Sequence, residues 1–406
     1  MTPTPDLVSL TLIFCAAAVA TIASRVSRRF VLPVVVVEIV LGILIGPQVL
    51  DIAKPDPYIQ FLSAFGLVVL FFLAGIEVIH SGVPRRLLAR GSIGWGISIT
   101  LGAIMGFGLE AAGLDASGWL IAVAIATTAL GTLMPILSDA GVLRSPLGQN
   151  TLGSAVAGEF WPIVVISLFL TGAHATVASI TLLAGFGLVV AGAAGLALHF
   201  RPPRILTIMR ETVNKSGQLA VRLAVATLAL LVLLADKLDF DYVLGAFAAG
   251  LVIGLVTQGE TGEQLLPRFA TIGYGFLIPI FFIVTGMEFD LDSLLTGAGL
   301  ALAGLFLGLF LVTRGSAALL AVRELGARGT AALALFSATG LPLIVAVIEV
   351  GEERGEIGSH VAAALVGAGM ASVLVYPLVG LLVAHAGGRR AEPVAEPEAA
   401  VSLEEL

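Results

Sequence analysis

Charge is what this chain has least of. Only 12% of its 406 residues are Asp, Glu, Lys or Arg, while 58% are apolar and the mean hydropathy is +1.05. A soluble domain carries about 25% charged residues, so this is a membrane chain. Cysteine is nearly absent as well: Cys15 stands alone inside an apolar run, which excludes a disulfide framework and a cysteine metal site. The five histidines, His80, His174, His199, His360 and His385, fall near the ends of apolar stretches and form no ligand pair. With no nucleophile and base constellation either, neither an enzyme nor a cofactor is expected. The first apolar run lacks a positive segment before it and is followed by Arg25, Arg28 and Arg29, the reverse of a cleavable signal peptide.

What the chain does have is a near-continuous series of apolar stretches, each of about 20 residues, the length that crosses the hydrocarbon core. The expected fold is all-α with about thirteen transmembrane helices, over 7–24, 30–46, 58–79, 91–110, 117–137, 147–171, 176–199, 218–235, 241–257, 267–287, 295–320, 329–349 and 359–386. Sixteen basic residues, from Arg25 to Arg390, lie in loops after odd-numbered spans or in the C-terminal segment. Loops after even-numbered spans hold only Lys54, Lys237 and Arg354, while Arg222 and Arg314 lie within spans. The positive-inside rule then puts the N-terminus outside and the C-terminus in the cytoplasm of a cell-membrane protein. Residues 1–386 read as one transmembrane domain. Residues 387–406, with Glu392, Glu396, Glu398, Glu404 and Glu405, read as a disordered cytoplasmic tail.

The chain also repeats itself. Gly42-Ile-Leu-Ile-Gly46 returns as Gly250-Leu-Val-Ile-Gly254, and Phe71-Phe-Leu-Ala-Gly-Ile-Glu77 as Phe281-Phe-Ile-Val-Thr-Gly-Met-Glu288, at offsets of 208 to 211. Thr128-Ala-Leu-Gly-Thr-Leu-Met-Pro135 is matched more loosely by Ser337-Ala-Thr-Gly-Leu-Pro342. Seven spans separate the partners, an odd number, so the two halves cross the membrane in opposite senses. Span 7 is left over as a linker. Pro135 and Pro342 each sit inside an apolar span behind small and hydroxyl residues: Thr127, Thr128, Gly131 and Thr132 in one, Ser337, Thr339 and Gly340 in the other. Proline removes a helical hydrogen bond, and freed carbonyls within a membrane must line a polar cavity or meet protein. A plain proline kink competes with this account for either span alone, but paired they point to two discontinuous helices around an ion site.

Glu159 lies near the middle of span 6, about 18 Å along the helix from either surface. A midplane charge costs at least about 2.5–3.5 kcal/mol and usually serves function. Because burial penalises the anion, a proton and a metal cation compete for it, as an antiporter requires. Thr127, Thr128 and carbonyls near Gly131 are the expected additional cation ligands, and Arg314 the expected charge partner. Glu38, central in span 2, is expected to serve the scaffold, paired with Arg222 if the two meet. Glu77 and Glu288, at span ends, are expected to face the membrane interface.

Together these residues resemble the monovalent cation:proton antiporter-2 family. Leu32-Pro33 through Glu38 to Gly42, Gly46 and Pro47 is similar to its second-helix signature, and Phe65-Gly66-Leu67 through Leu73-Ala74-Gly75-Ile76-Glu77 to its third. Leu244 to Leu251, and Pro279-Ile280-Phe281-Phe282 through Gly286, resemble its ninth and tenth. The resemblance implies thirteen helices, a scaffold of spans 1–3 and 8–10 that forms a homodimer, and a mobile core of spans 4–6 and 11–13. It implies Na+ or K+ exchanged for H+ in the lipid bilayer, with no nucleic-acid partner. It also implies an acidic pair in span 6, where this chain reads Gly158-Glu159, so the first polar partner is lost. Arg314 falls where the family carries Lys or Arg. The charged Arg-Gly that many relatives carry in span 12 is absent. With one titratable group in span 6, exchange is expected to be electroneutral. A potassium-efflux channel, or a carrier of an organic anion held by Arg314, are the competing functions.

Overall fold

In the computed structural model the described residues are 6–26, 33–170, 181, 184–192, 195, 218–238, 240–257 and 260–385. Among them the chain is helical throughout, with one isolated bridge between Ala116 and Ile357. Apolar stretches in lipid fold this way because a helix satisfies every backbone group within itself. In order the helices are α1 (Leu7–Val26), α2 (Val34–Ile45), α3 (Pro57–His80), α4 (Arg85–Ala111), α5 (Gly118–Ile125), α6 (Leu130–Asp139), α7 (Pro146–Leu170) and α8 (Leu219–Lys237). There follow α9 (Tyr242–Val256), α10 (Glu260–Ile272), a π-helical turn Gly273–Leu277, α11 (Ile278–Glu288), α12 (Leu291–Leu295), α13 (Gly297–Ala317), α14 (Val322–Ser337), α15 (Pro342–Glu353) and α16 (Ser359–His385). Seven described helices are long and apolar enough to cross a membrane, and shorter apolar helices accompany them. The protein is a multi-pass membrane protein. Each expected span coincides with one of these helices or a joined pair, except the seventh, most of which lies outside the described residues, as does the tail.

The loops supply the caps that apolar sequence cannot. Asp56 accepts from the Ile59 amide at 2.7 Å just before Pro57 opens α3. Asp241 does the same for α9 through Val243, and Thr296 for α13 through Gly299. Each cap satisfies an amide that the first helical turn leaves without a partner.

The helices pack as two groups. In one, α3 lies against α9 and α11, α2 against α1 and α11, and α8 against α9. In the other, α4 packs on α5, α7 and α13, and α14 and α13 pack on α16. Within the first group the repeated glycines make corresponding contacts. A Cβ built on Gly42 would stand 2.1 Å from the Ile283 carbonyl and 3.0 Å from the Gly286 Cα, and one on Gly286 would stand 2.1 Å from the Ile39 carbonyl. The matching residues do the same: a Cβ on Gly75 would stand 2.3 Å from the Phe247 carbonyl, and one on Gly250 would stand 2.1 Å from the Phe72 carbonyl. Contact Gly42–Gly286 therefore maps onto Gly250–Gly75 when the halves are exchanged. Small residues let helix backbones touch where lipid gives no hydrophobic drive to associate.

Two membrane-crossing helices in the second group are interrupted. Helix α5 ends at Ile125 and α6 begins at Leu130, while α14 ends at Ser337 and α15 begins at Pro342. Pro342 opens its half-helix, where its missing N–H is not needed. Pro135 does not mark the other break. It lies inside α6, five residues after the helix starts. The match between Pro135 and Pro342 was thus out of register with the folded breaks, which align Leu130 with Pro342.

Candidate functional site

The two breaks cross each other, and α7 and α13 close around the crossing. The Ala129 amide donates to the Thr339 carbonyl at 2.9 Å, and the Thr128 amide donates to the Gly158 carbonyl of α7 at 3.0 Å. These bonds replace the helical partners that the interruption removes, which allows extended backbone to persist here.

Arg314 of α13 lies at the centre, completely buried. Its Nε donates to Thr128 Oγ1 at 2.8 Å, Nη1 to Ser98 Oγ at 3.2 Å, and Nη2 to the Ser154 carbonyl and hydroxyl at 2.9 and 3.0 Å. Thr128 Oγ1 in turn donates to the Ser337 carbonyl, the last residue of α14, at 2.5 Å. The guanidinium is thus embedded among neutral oxygens near the carbonyl ends of both half-helices, where partial negative charge accumulates. No ion pair joins it to Glu159 among the described residues; the expected charge partnership is not a contact. Four of its five N–H groups are engaged by protein oxygens. Gly158 explains the fit: a Cβ there would stand 2.6 Å from Arg314 Nη2 and 2.7 Å from Thr128 Oγ1.

Glu159, the next residue, is buried on α7, and its Oε2 has no hydrogen-bond partner. The Leu130 backbone amide, first of α6, is directed at its carboxylate. A helix N-terminus favours an anion, so α6 supplies the positive field that holds a carboxylate in the membrane. Gly131 lies in the first turn of α6, and Pro135, four residues on, has no N–H to donate to the Gly131 carbonyl, which is left without its helical partner. Thr127 and Thr128 are both buried in the break; Thr127 Oγ1 donates to the Ala124 carbonyl at 2.9 Å, and Gly340 sits against it.

Sequence reasoning missed the other wall of the site. Glu77 of α3 reaches the first turn of α6, the same half-helix end that faces Glu159. Tyr274, in the π turn, donates to Glu77 Oε1 at 3.0 Å. Both lie over Gly131: a Cβ there would be 3.2 Å from Tyr274 Oη and 3.5 Å from Glu77 Oε2. The signal available in the sequence was Gly273-Tyr274-Gly275, an aromatic flanked by two glycines in an apolar span. Toward the other end of α3 a cavity of about 600 Å3 separates the two groups of helices, lined by Glu288, Glu349, Glu352 and Glu353 among others. The Glu38–Arg222 pair is not formed among the described residues: Glu38 is buried and Arg222 exposed, on helices that pack in different places.

A carboxylate at a helix N-terminus, a second one across a packing interface and hydroxyls at a backbone crossing suit a small desolvated cation or a proton. The family model described as sodium/hydrogen exchanger, transmembrane, matches residues 14–383. A putative Na+/H+ antiporter of Bacillus subtilis, YjbQ, is 27% identical over 86% of this chain, which spans 59% of that relative's length. A probable Na+/H+ antiporter 3 of Methanocaldococcus jannaschii is 23% identical over 90% of this chain and 94% of its own. The structure of the sodium proton antiporter MjNhaP1 from the same organism superposes with a TM-score of 0.63 at 15% identity, covering 93% of this chain and 97% of that one. The chain belongs to the sodium/hydrogen exchanger transmembrane family.

Proposed function

We propose that this protein is a secondary antiporter that exchanges Na+ for H+ by alternating access at Glu159. One observation carries the reading: a buried carboxylate with an unpartnered oxygen, at the N-terminus of a half-helix where two broken helices cross. A proton or a cation completes that oxygen, and the two occupants exclude each other. Glu77 completes the cation's surroundings from α3, and oxygens of the Thr127–Thr128 break complete them from the core. The acidic cavity beside Glu349 concentrates cations on the way in. Helices α1–α3 and α8–α11 act as scaffold and as the face of a homodimer, and α4–α7 with α13–α16 as the moving core. The chain sits in the cell membrane with its N-terminus outside and its C-terminus in the cytoplasm.

Exchange is one to one. Glu159 rides on α7 and carries its occupant, whereas Glu77 stays on the scaffold and carries none. Either loaded state then moves the same charge. In proteoliposomes, NaCl added outside drives proton efflux, and Glu159→Gln abolishes it while the protein still inserts and folds. Efflux retained in that variant overturns the reading. The KCl arm decides whether K+ is also carried. The balance point, where cation and proton gradients are equal, is expected not to move under a potassium-valinomycin potential, or under another ionophore couple should K+ be carried. A shift with voltage would mean that a second proton travels.

A further inference from the structure

We propose that Tyr274 is a positioning residue for the cation site: its hydroxyl, delivered by the π turn, holds the Glu77 carboxylate against the first turn of α6, opposite Glu159. The inference rests on the exchange reading above and adds a device to it.

The geometry starts at Gly273. A Cβ there would stand 2.5 Å from Leu73 Cδ1 and 3.2 Å from Val69 Cγ1, so the glycine lets the turn lie directly on α3. Leu73 is one helical turn before Glu77, on the same face. The π turn Gly273–Leu277 then widens the backbone, and such turns are frequent at functional sites. An uninterrupted α-helix would rotate the side chain at 274 relative to the α11 face that packs on α2 and α3. The turn resolves this conflict, because α11 keeps its packing face while Tyr274 reaches Glu77 Oε1 at 3.0 Å. Tyr274 as a residue is 44% exposed, so burial alone does not explain its place; the hydroxyl contact does.

Glu77 has reason to need holding. It sits on the opposite helix group from Glu159 at the first turn of α6, and two carboxylates that share one site repel when both are ionised. Without a donor on its far oxygen, Glu77 would swing away from Glu159 whenever the site is empty. The hydroxyl fixes Oε1 and leaves Oε2 turned toward Gly131, where a cation between the two acids is reached without reorganisation. Preorganisation of this kind appears as affinity rather than as turnover.

The test is Tyr274→Phe, which removes the oxygen and keeps the ring. In proteoliposomes the Na+ concentration for half-maximal proton efflux is expected to rise about tenfold, the scale of one hydrogen bond to a charged group, with the maximal rate retained. The same shift is expected in the Na+ dependence of thermal stability of the purified protein, which reads binding whether or not exchange occurs. In a Glu77→Gln background the second substitution adds nothing. Wild-type Na+ dependence in Tyr274→Phe overturns the proposal, as does an undiminished shift in the Glu77→Gln background. If the wild-type protein moves no protons with any cation, the exchange reading fails separately, and the thermal measurement still decides on Tyr274.

Discussion

Gly158→Ala is the sharpest perturbation the site offers, because it adds one methyl group to a place where the cost can be counted. The new Cβ would stand 2.6 Å from Arg314 Nη2 and 2.8 Å from Thr128 Cβ, both inside contact distance. The end of an arginine is usually free to move aside, but this one is pinned by donations to Thr128, Ser98 and Ser154. Shifting Nη2 breaks at least one hydrogen bond from a buried charge, about 1.5–3 kcal/mol. Overpacking adds about 1 kcal/mol or more. Gly158→Ala should therefore lose about 3 kcal/mol of stability, seen as a melting temperature lower by several degrees in detergent. Lysine has no Nη2 and no fork, so in an Arg314→Lys background the methyl group has less to displace. The double variant should then be more stable than the sum of the two single losses predicts. A Gly158→Ala protein that melts with the wild type, or a double variant whose losses simply add, would refute this account of the glycine.

Other perturbations test the frame around the site. Gly42→Val places a branched side chain against the Ile283 carbonyl and should abolish folded protein, read by size-exclusion profile in detergent; a monodisperse variant would mean that α2 and α11 can separate at little cost. Asp56 accepts from the Asp6 and Ile59 amides, and those bonds hold its carboxyl below the usual carboxylate range. A lowered folded value stabilises above the unfolded one and is lost as pH falls through the folded one. Asp56→Ala should thus cost about 1 kcal/mol near pH 7, and the gap to wild type should close below about pH 4 in a thermal melt across pH.

The scaffold was legible because its determinants are local and small. Gly42 with Gly46 and Gly250 with Gly254 have few uses in an apolar helix other than close packing, and Gly75 and Gly286 were found by the same match. The break before Pro342 was legible because proline cannot sit elsewhere in a helix without loss, and at 342 it opens one. Pro135 misled for the complementary reason. The interruption at Thr127 to Ala129 holds no proline of its own; it is held by carbonyls of Gly158 and Thr339, which are distant in sequence. A local rule that finds one break by its proline assigns the other to the nearest proline.

The site divided along the same line. Glu159 stood out as a candidate because depth in a span can be counted, and a carboxylate at that depth needs a reason. Its surroundings could not be found by counting. Arg314 shares the crossing with Glu159, yet it serves the carbonyl ends of the half-helices, a field that exists only once α5 and α14 have stopped where they do. Glu77 looked like an interfacial residue because it lies three residues from the end of α3. What brings it to the site is α6, which starts midway through its span and so presents an N-terminus, with Gly131 in its first turn, to the other group of helices. The half-helix that creates the field for Glu159 therefore also creates the gap that Glu77 and Tyr274 cover. A methyl group at Gly131 would press on the Tyr274 hydroxyl and Glu77 Oε2 and on no atom of Glu159. It therefore disturbs the same wall of the site that removing the Tyr274 hydroxyl disturbs, by crowding rather than by loss of a bond.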